Sequence, residues 1–231
     1  MTGAARLGRP RLHLRRTGST SDRARVLAIA GAPHGTLVTA GEQLAGRGRH
    51  GRVWSAPAGR ALLASVVLRE VPPLLALAGA LAVADVVGAA ARIKWPNDVL
   101  LGGRKVAGIL AEGRPQEGWV VLGVGLNVAV RPHDLPPELA TRAAGLGLEP
   151  ADIEPTLAAL LIALEWRLVE DHASTLEAYR ARDALHGREV RWQHGEGVAA
   201  GIDGDGRLLV ELAGGGTAML DAGEVHLVAS G

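Results

Sequence analysis

Residues 72–91 carry one charged group, Asp85, in a run that is otherwise apolar or glycine. A segment this poor in polar groups has no face to offer water, so it lies in lipid or is covered by protein on every side. Two glycines, Asp85 and a bulk of small side chains disfavour a bilayer span, and Pro72-Pro73 is a helix-opening signal. The segment is read as a buried helix. The rest of the chain must therefore supply elements to enclose it. With 231 residues and 48% hydrophobic side chains it can do so, as one large domain or one with a small appendage.

Those elements are legible from periodicity. Strands are predicted over 12–15, 36–40, 61–68, 92–95, 99–101, 106–112 and 119–124, with Gly102-Gly103 as a tight hairpin turn. Ser19-Thr20-Ser21-Asp22 opens a helix running to about residue 30. Residues 43–60 read as a Gly- and Arg-rich loop, and 132–150 as loop. Residues 153–171 form an amphipathic helix with Leu157, Leu160, Leu161, Leu164 and Leu168 on one face. Ser174 and Glu177 read as a capping box for a last helix ending near 185. Composition changes at Gly187. Five short strands come after it, at 189–192, 197–202, 208–212, 217–220 and 225–228, with turns at 194–195, 203–206, 214–216 and 221–223. Such density of strands suggests a small barrel. The division expected is 1–185 and 186–231, a mixed sheet with helices followed by the barrel.

Composition narrows the function. A net charge of +1 argues against a generally basic nucleic-acid binder. The absence of cysteine excludes disulfides, zinc-thiolate sites and thiol nucleophiles, which fits the cytoplasm. Residues 1–16 lack the apolar core of a signal peptide. Neither a metal-binding spacing of His and carboxylates nor a local Ser-His-Asp arrangement is present.

Two segments stand out chemically. In Gly46-Arg47-Gly48-Arg49-His50-Gly51-Arg52-Val53-Trp54 the glycines admit close approach to the backbone, and alternating arginines offer bidentate forks to phosphate. No acidic residue occurs from 43 to 69, so these arginines are expected to be unpaired and the loop mobile until an anion orders it. A solvated basic loop is the plain alternative. The second segment holds the only two lysines, Lys94 and Lys105, in a chain whose other basic residues are arginines. A compact ammonium retained only here suggests a task a planar guanidinium does not fill. Between them, Asn97 and Asp98 are turn formers, or oxygen donors for a hard cation such as magnesium. Gly108, mid-strand, marks either a bulge or close approach by a ligand. Ser19-Thr20 caps a helix, or with it binds a polar ligand. Gly123-Val124-Gly125-Leu126-Asn127 is a nucleotide-facing turn or a close-packed strand.

Taken in order, Ser19-Thr20, Gln43, the 45–54 segment, Lys94-Trp95-Pro96-Asn97-Asp98, the 105–112 strand and Gly123-Val124-Gly125-Leu126-Asn127 resemble biotin protein ligase, the biotin–[acetyl-CoA-carboxylase] ligase family, over nearly the whole chain. The resemblance implies an α+β fold, a mixed sheet flanked by helices of the class II aminoacyl-tRNA synthetase and biotin ligase type, with a C-terminal SH3-like barrel. It implies that biotin and ATP, with Mg2+, give biotinyl-5′-AMP, whose biotinyl group passes to one lysine of a biotin carboxyl carrier domain of a biotin-dependent carboxylase. By the same resemblance Lys105 and Arg49 are catalytic. Ser19, Thr20, Gln43, Gly46, Arg47, Arg49, Lys105, Gly108, Leu110 and Gly123 contact biotin. Arg47, Arg49, Arg52, Trp54, Asn97, Asp98 and Asn127 serve ATP, Trp54 at the adenine and Asp98 beside the magnesium ion.

Departures are few. Ser21 stands where the family usually has Asn, with little effect expected because Ser can also cap a helix. His50 stands where Arg is frequent. Val228 lies near a position where some members carry an Arg, so no nucleotide contact is assigned to the barrel. A first ligase strand near residue 12 implies the form without the winged-helix DNA-binding domain, and so no DNA partner. The reading of 72–91 as a buried helix implies no membrane. The oligomeric state is not fixed by the sequence, and a homodimer through a sheet edge is compatible with it. The rival readings are a lipoate-type ligase of the same fold, whose signature is missing, a nucleotide- or RNA-binding module, and a catalytically dead biotin binder.

Overall fold

The computed structural model describes residues 7–221, 223 and 225–228. Residues 1–6 of the first segment, Ala222 and Glu224 around the last turn, and the final three residues, 229–231, lie outside them. The elements in chain order are β1 (Arg11–Leu14), α1 (Thr20–Ile29), β2 (Leu37–Ala40), β3 (Gly46–Arg47), β4 (Val53–Trp54), β5 (Leu62–Leu68), α2 (Leu75–Val87), β6 (Arg92–Lys94), β7 (Asp98–Leu101), β8 (Arg104–Arg114), β9 (Trp119–Leu126), α3 (Pro137–Ala140), α4 (Ile153–Val169), α5 (His172–Arg180), β10 (Glu189–Trp192), β11 (Gly195–Ile202), β12 (Leu208–Glu211), β13 (Thr217–Leu220) and β14 (His226–Leu227).

Seven strands form the main sheet in the order β1-β2-β5-β9-β8-β7-β6. Only β1 and β2 run parallel; every other neighbouring pair is antiparallel. All seven residues of β5 are buried, as a central strand covered on both faces requires. One face carries Leu62, Val66, Leu122 and Leu126 into the main core, which includes α2 and α4. The other face divides. Val67, Trp119 and Val121 pack under Ala24 and Ala28 of α1, while Leu63 packs with Val130 and Trp54 at the far end.

The apolar segment is the expected buried helix, shorter at both ends than its 72–91 run. It starts after Leu74, whose φ is 60°, and stops at Gly88, whose φ of 103° a side chain would resist. Its one charge is answered from α4 and from the segment after α5: Asp85 Oδ2 accepts from Arg167 of α4 at 2.8 Å, and Oδ1 from Arg182 at 3.2 Å. Both ends of α5 also differ from the sequence reading. Asp171, not Ser174, caps α5, its carboxylate accepting from Ser174 N at 3.0 Å, and the helix ends at Arg180 instead of near 185. Either residue can cap. The choice of Asp171 starts the helix early enough to bury Thr175, Leu176 and Tyr179.

The C-terminal strands form an antiparallel sheet of five, ordered β13-β12-β11-β10-β14. Its first turn falls on Gln193-His194, one residue before the expected pair, since Gly195 already pairs with Trp192. Val190, Ala199, Leu208 and Val210 join the main core. Trp95 Nε1 donates to Gly206 O at 3.0 Å and Arg180 to Ile202 O at 3.2 Å, which fixes this sheet against the first.

Candidate active site

The divided face of the sheet is hollow in its middle, and glycine makes it so. Gly108 of β8 pairs with Gly125 of β9, and Leu110 with Gly123. Three side chains are thus missing from one patch between α1 and the β3–β4 ribbon. A Cβ on Gly125 would lie 2.5 Å from Trp54 Cε2, and one on Gly123 2.7 Å from Ser21 Oγ. The hollow is a cavity of about 350 Å³, the size of a small-molecule site.

One end is polar and uncharged. Thr20 and Ser21, in the first turn of α1, line it together with Gln43. Gln43 Oε1 accepts from Thr20 N at 2.7 Å and from Thr20 Oγ1 at 3.0 Å, which fixes the carboxamide's orientation. Ser65, wholly buried behind the wall, donates to Thr20 Oγ1 at 2.8 Å and lies 3.1 Å from Ser21 Oγ.

The other end is cationic. Arg47, Arg49, Arg52, Lys105 and Arg142 line the cavity against a single carboxylate, Asp98, among the described residues. A bulge aims Lys105. Val99 pairs with Ala107 but Leu100 with Lys105, so Val106 is an extra residue in β8. Val106 and Ala107 both enter the core, and Lys105, which strict alternation would have sent there too, turns to the cavity face. Its Nζ lies 2.6 Å from Asp98 Oδ1 and 5.5 Å from the centre of the Trp54 ring. Gly108 leaves room for this: a Cβ there would sit 3.3 Å from Nζ and 3.1 Å from Trp54.

The β3–β4 ribbon closes the cavity. Arg47 donates to Asp22 of α1 at 3.1 Å and to Glu112 of β8 at 3.2 Å, and Arg25 shares Glu112 at 3.0 Å. Burial works against the Arg47 charge, but Glu112 and Asp22 outweigh it and hold the guanidinium above the usual arginine range. Arg47 is therefore not the unpaired arginine expected from the local sequence, because its carboxylates come from distant elements. Asn97 donates to Ile109 O at 2.7 Å, and its Oδ1 lies 3.5 Å from Arg49.

The sequence matches the Biotin/lipoate A/B protein ligase family over residues 14–128 and the Biotin protein ligase C terminal domain over 185–228. It is 40% identical over 234 residues to the biotin–[acetyl-CoA-carboxylase] ligase of Mycobacterium tuberculosis, covering 91% of this chain and 86% of that one. The chain belongs to the biotin protein ligase family. The ligase is also 37% identical to the bifunctional ligase/repressor BirA of Bacillus subtilis, over 84% of its own length and 66% of that protein's. Among solved structures, the biotin protein ligase of Aquifex aeolicus in complex with biotin and ATP superposes with a TM-score of 0.81 at 26% identity, covering 96% of this chain and all of that one. The fold is the α+β arrangement with an SH3-like C-terminal domain.

Within the ligase, most of the expected site residues meet on the cavity: Thr20, Gln43, Arg47, Arg49, Arg52, Trp54, Asn97, Asp98, Lys105, Gly108, Leu110, Gly123 and Asn127. Two do not line it. Ser19 is the N-cap of α1, its Oγ accepting from Ser21 N at 3.2 Å. Gly46 is part of the ribbon itself, paired with Trp54 of β4, and a side chain there would strike Trp54 O. Asn127 is buried, with its amide donating to Ala144 O at 3.0 Å, so it ties the 144–146 segment to the wall. Ser21 is not a cap; it stands in the cavity wall against Gly123. Sequence reasoning missed Leu135, Leu139 and Arg142, which line the site from the segment read as loop and in part helical as α3. The short amphipathic run 137–143 was the available signal.

Proposed function

We propose that the cavity binds biotin and ATP, joins them as biotinyl-5′-AMP, and presents that anhydride to a lysine of a biotin carboxyl carrier domain. The observation that carries this is the polarity of the cavity: a neutral hydrogen-bonding end at Thr20, Ser21 and Gln43, a glycine-walled apolar middle, and a cationic end at Lys105 and the arginines. Biotin has the same sequence of groups, a cyclic urea, a thioether ring with an aliphatic chain, and a carboxylate.

Adenylation brings a carboxylate against a triphosphate. A carboxylate oxygen of biotin attacks the α-phosphorus, the bond to the bridging oxygen breaks, and the electron pair leaves with pyrophosphate. Lys105 would lie between carboxylate and α-phosphate and stabilise charge gathering at phosphorus, and Arg49 would hold the phosphate from the ribbon side. Trp54, over Gly125 and Gly108, offers an aromatic face to the adenine. In the second step the carrier lysine's neutral amine attacks the acyl carbon, AMP leaves with the electron pair, and the amine gives up a proton. The closed ribbon keeps water from the anhydride meanwhile.

No group of three or more metal-binding side chains occurs among the described residues. Mg2+ fits nonetheless, because it is commonly held by one or two carboxylates together with substrate phosphates. Asp98 would hold it here, and the ion neutralises phosphate charge. The same reading assigns residues 1–185 to catalysis and 186–231 to the accessory domain, places the enzyme in the cytoplasm, and puts a homodimer contact at β1. The opposite edge strand, β6, is already covered by backbone bonds of Ile93 to Arg182 and Ala184. No helix among the described residues is long and apolar enough to cross a membrane.

The test is intact-mass analysis of an apo carrier domain incubated with the protein, biotin, ATP and Mg2+. A gain of one biotinyl group, lost when the carrier lysine is replaced by arginine, is expected. An unchanged mass contradicts the reading.

A further inference from the structure

The hydroxyls behind the polar end of the cavity form a chain whose proton directions are determined. Gln43 Oε1 has no proton to give, so the 3.0 Å contact with Thr20 Oγ1 consumes the Thr20 proton. Ser65 Oγ, 2.8 Å from Thr20 Oγ1, must then donate to it. With its only proton spent, Ser65 can meet Ser21 Oγ at 3.1 Å only as an acceptor, so Ser21 donates. The chain reads Ser21 to Ser65 to Thr20 to Gln43. Ser65 is 0% exposed and is not among the cavity's lining residues, whereas Ser21, Thr20 and Gln43 are.

We propose that Ser65 is a positioning residue that sets this direction, so that Ser21 Oγ serves a ligand only as an acceptor and Gln43 Nε2 serves it as a donor. Spending Oε1 on Thr20 leaves Nε2 as the carboxamide group for the ligand. The pair complements an N–H beside a C=O, the edge of a cyclic urea, and is mismatched to a cyclic carbamate, which puts an ether oxygen where the N–H should be. Two acceptors then face each other with no proton between them. The inference rests on the biotin reading above and adds the residue that makes the polar end selective.

The experiment is biotin-dependent ATP–pyrophosphate exchange by the full chain and by its Ser65→Ala and Ser65→Cys variants. The substrates are biotin and the two analogues in which one or the other ureido N–H is replaced by oxygen. The unaltered protein is expected to prefer biotin over at least one analogue by about 10- to 100-fold in kcat/KM, the usual cost of an unmatched buried acceptor. In Ser65→Ala the Ser21 proton is released to turn toward the ligand. That preference is then expected to fall to a few-fold, with a raised KM for biotin and unchanged KM for ATP. Ser65→Cys, a weak donor of similar shape, is expected to fall between. A merely structural role would lower the melting temperature and weaken all three substrates alike; an unchanged preference overturns the proposal while the biotin reading stands. Absence of exchange with biotin in the unaltered protein overturns both.

Discussion

Replacing Lys105 by arginine keeps the charge and changes its shape. The ammonium occupies a slot bounded by Asp98 Oδ1 at 2.6 Å, the Trp54 ring centre at 5.5 Å and the Gly108 Cβ position at 3.3 Å. A guanidinium is longer, planar and wider than this slot. It can still satisfy Asp98 from outside, so the ion pair survives in altered form. With the Lys105 side chain 35% exposed, that pair contributes at most about 1 kcal/mol, and the melting temperature should move by no more than about 4 °C. The catalytic charge, however, no longer lies where carboxylate and α-phosphate meet. Losing one positioned electrostatic group of this kind costs roughly 100- to 1,000-fold in turnover. Pyrophosphate exchange measured beside a thermal melt separates the two effects. Near-unaltered turnover would refute the claim that a compact ammonium is needed, and a collapsed melt would refute the claim that the slot is separable from the fold.

Arg49→Gly removes a phosphate clamp from the ribbon; escape of biotinyl-AMP should rise about ten- to a hundredfold, read as biotin labelling of lysines on a bystander protein. Gly125→Ala puts a Cβ 2.5 Å from Trp54 Cε2, so the indole must leave the cavity wall. KM for ATP should rise roughly tenfold, with a shift in tryptophan emission. Asp183 is held above the usual carboxylate range by burial, and among the described residues its Oδ2 has no hydrogen-bond partner. Its folded form therefore keeps a proton that the unfolded chain releases near pH 3.9, and stability falls as pH rises from there through the raised value. Asp183→Asn keeps the Oδ1 that accepts from Leu185 N at 2.8 Å. Its melting temperature at pH 7 should exceed that of the unaltered protein, by a margin that shrinks toward pH 4.

The strands of the two larger sheets, the buried helix and the order of the site motifs could be read from periodicity and turn chemistry; the two-residue strands β3 and β4 could not, and fall in the 43–60 run read as loop. The continuous apolar run of β9 and the Gly102-Gly103 turn, with φ of 57° and 75°, are local properties. What could not be read was set by partners far along the chain. The bulge at Val106 exists only in the pairing of β8 with β7, yet it decides which way Lys105 points. Arg47 appeared unpaired because Asp22 and Glu112 lie outside its own segment. Ser21 looked like a capping residue until Ser65, brought to it by β5, gave its hydroxyl a partner. Gly108 and Gly125 announced close approach without saying of what; Trp54 is the answer to both.

The most direct test is ATP–pyrophosphate exchange by the purified protein with biotin, with lipoate and with neither. Exchange dependent on biotin, absent with lipoate and in the Lys105→Arg variant, is the expected result. Exchange that depends on lipoate, or none with either acid, would contradict the assignment of this cavity to biotin adenylation.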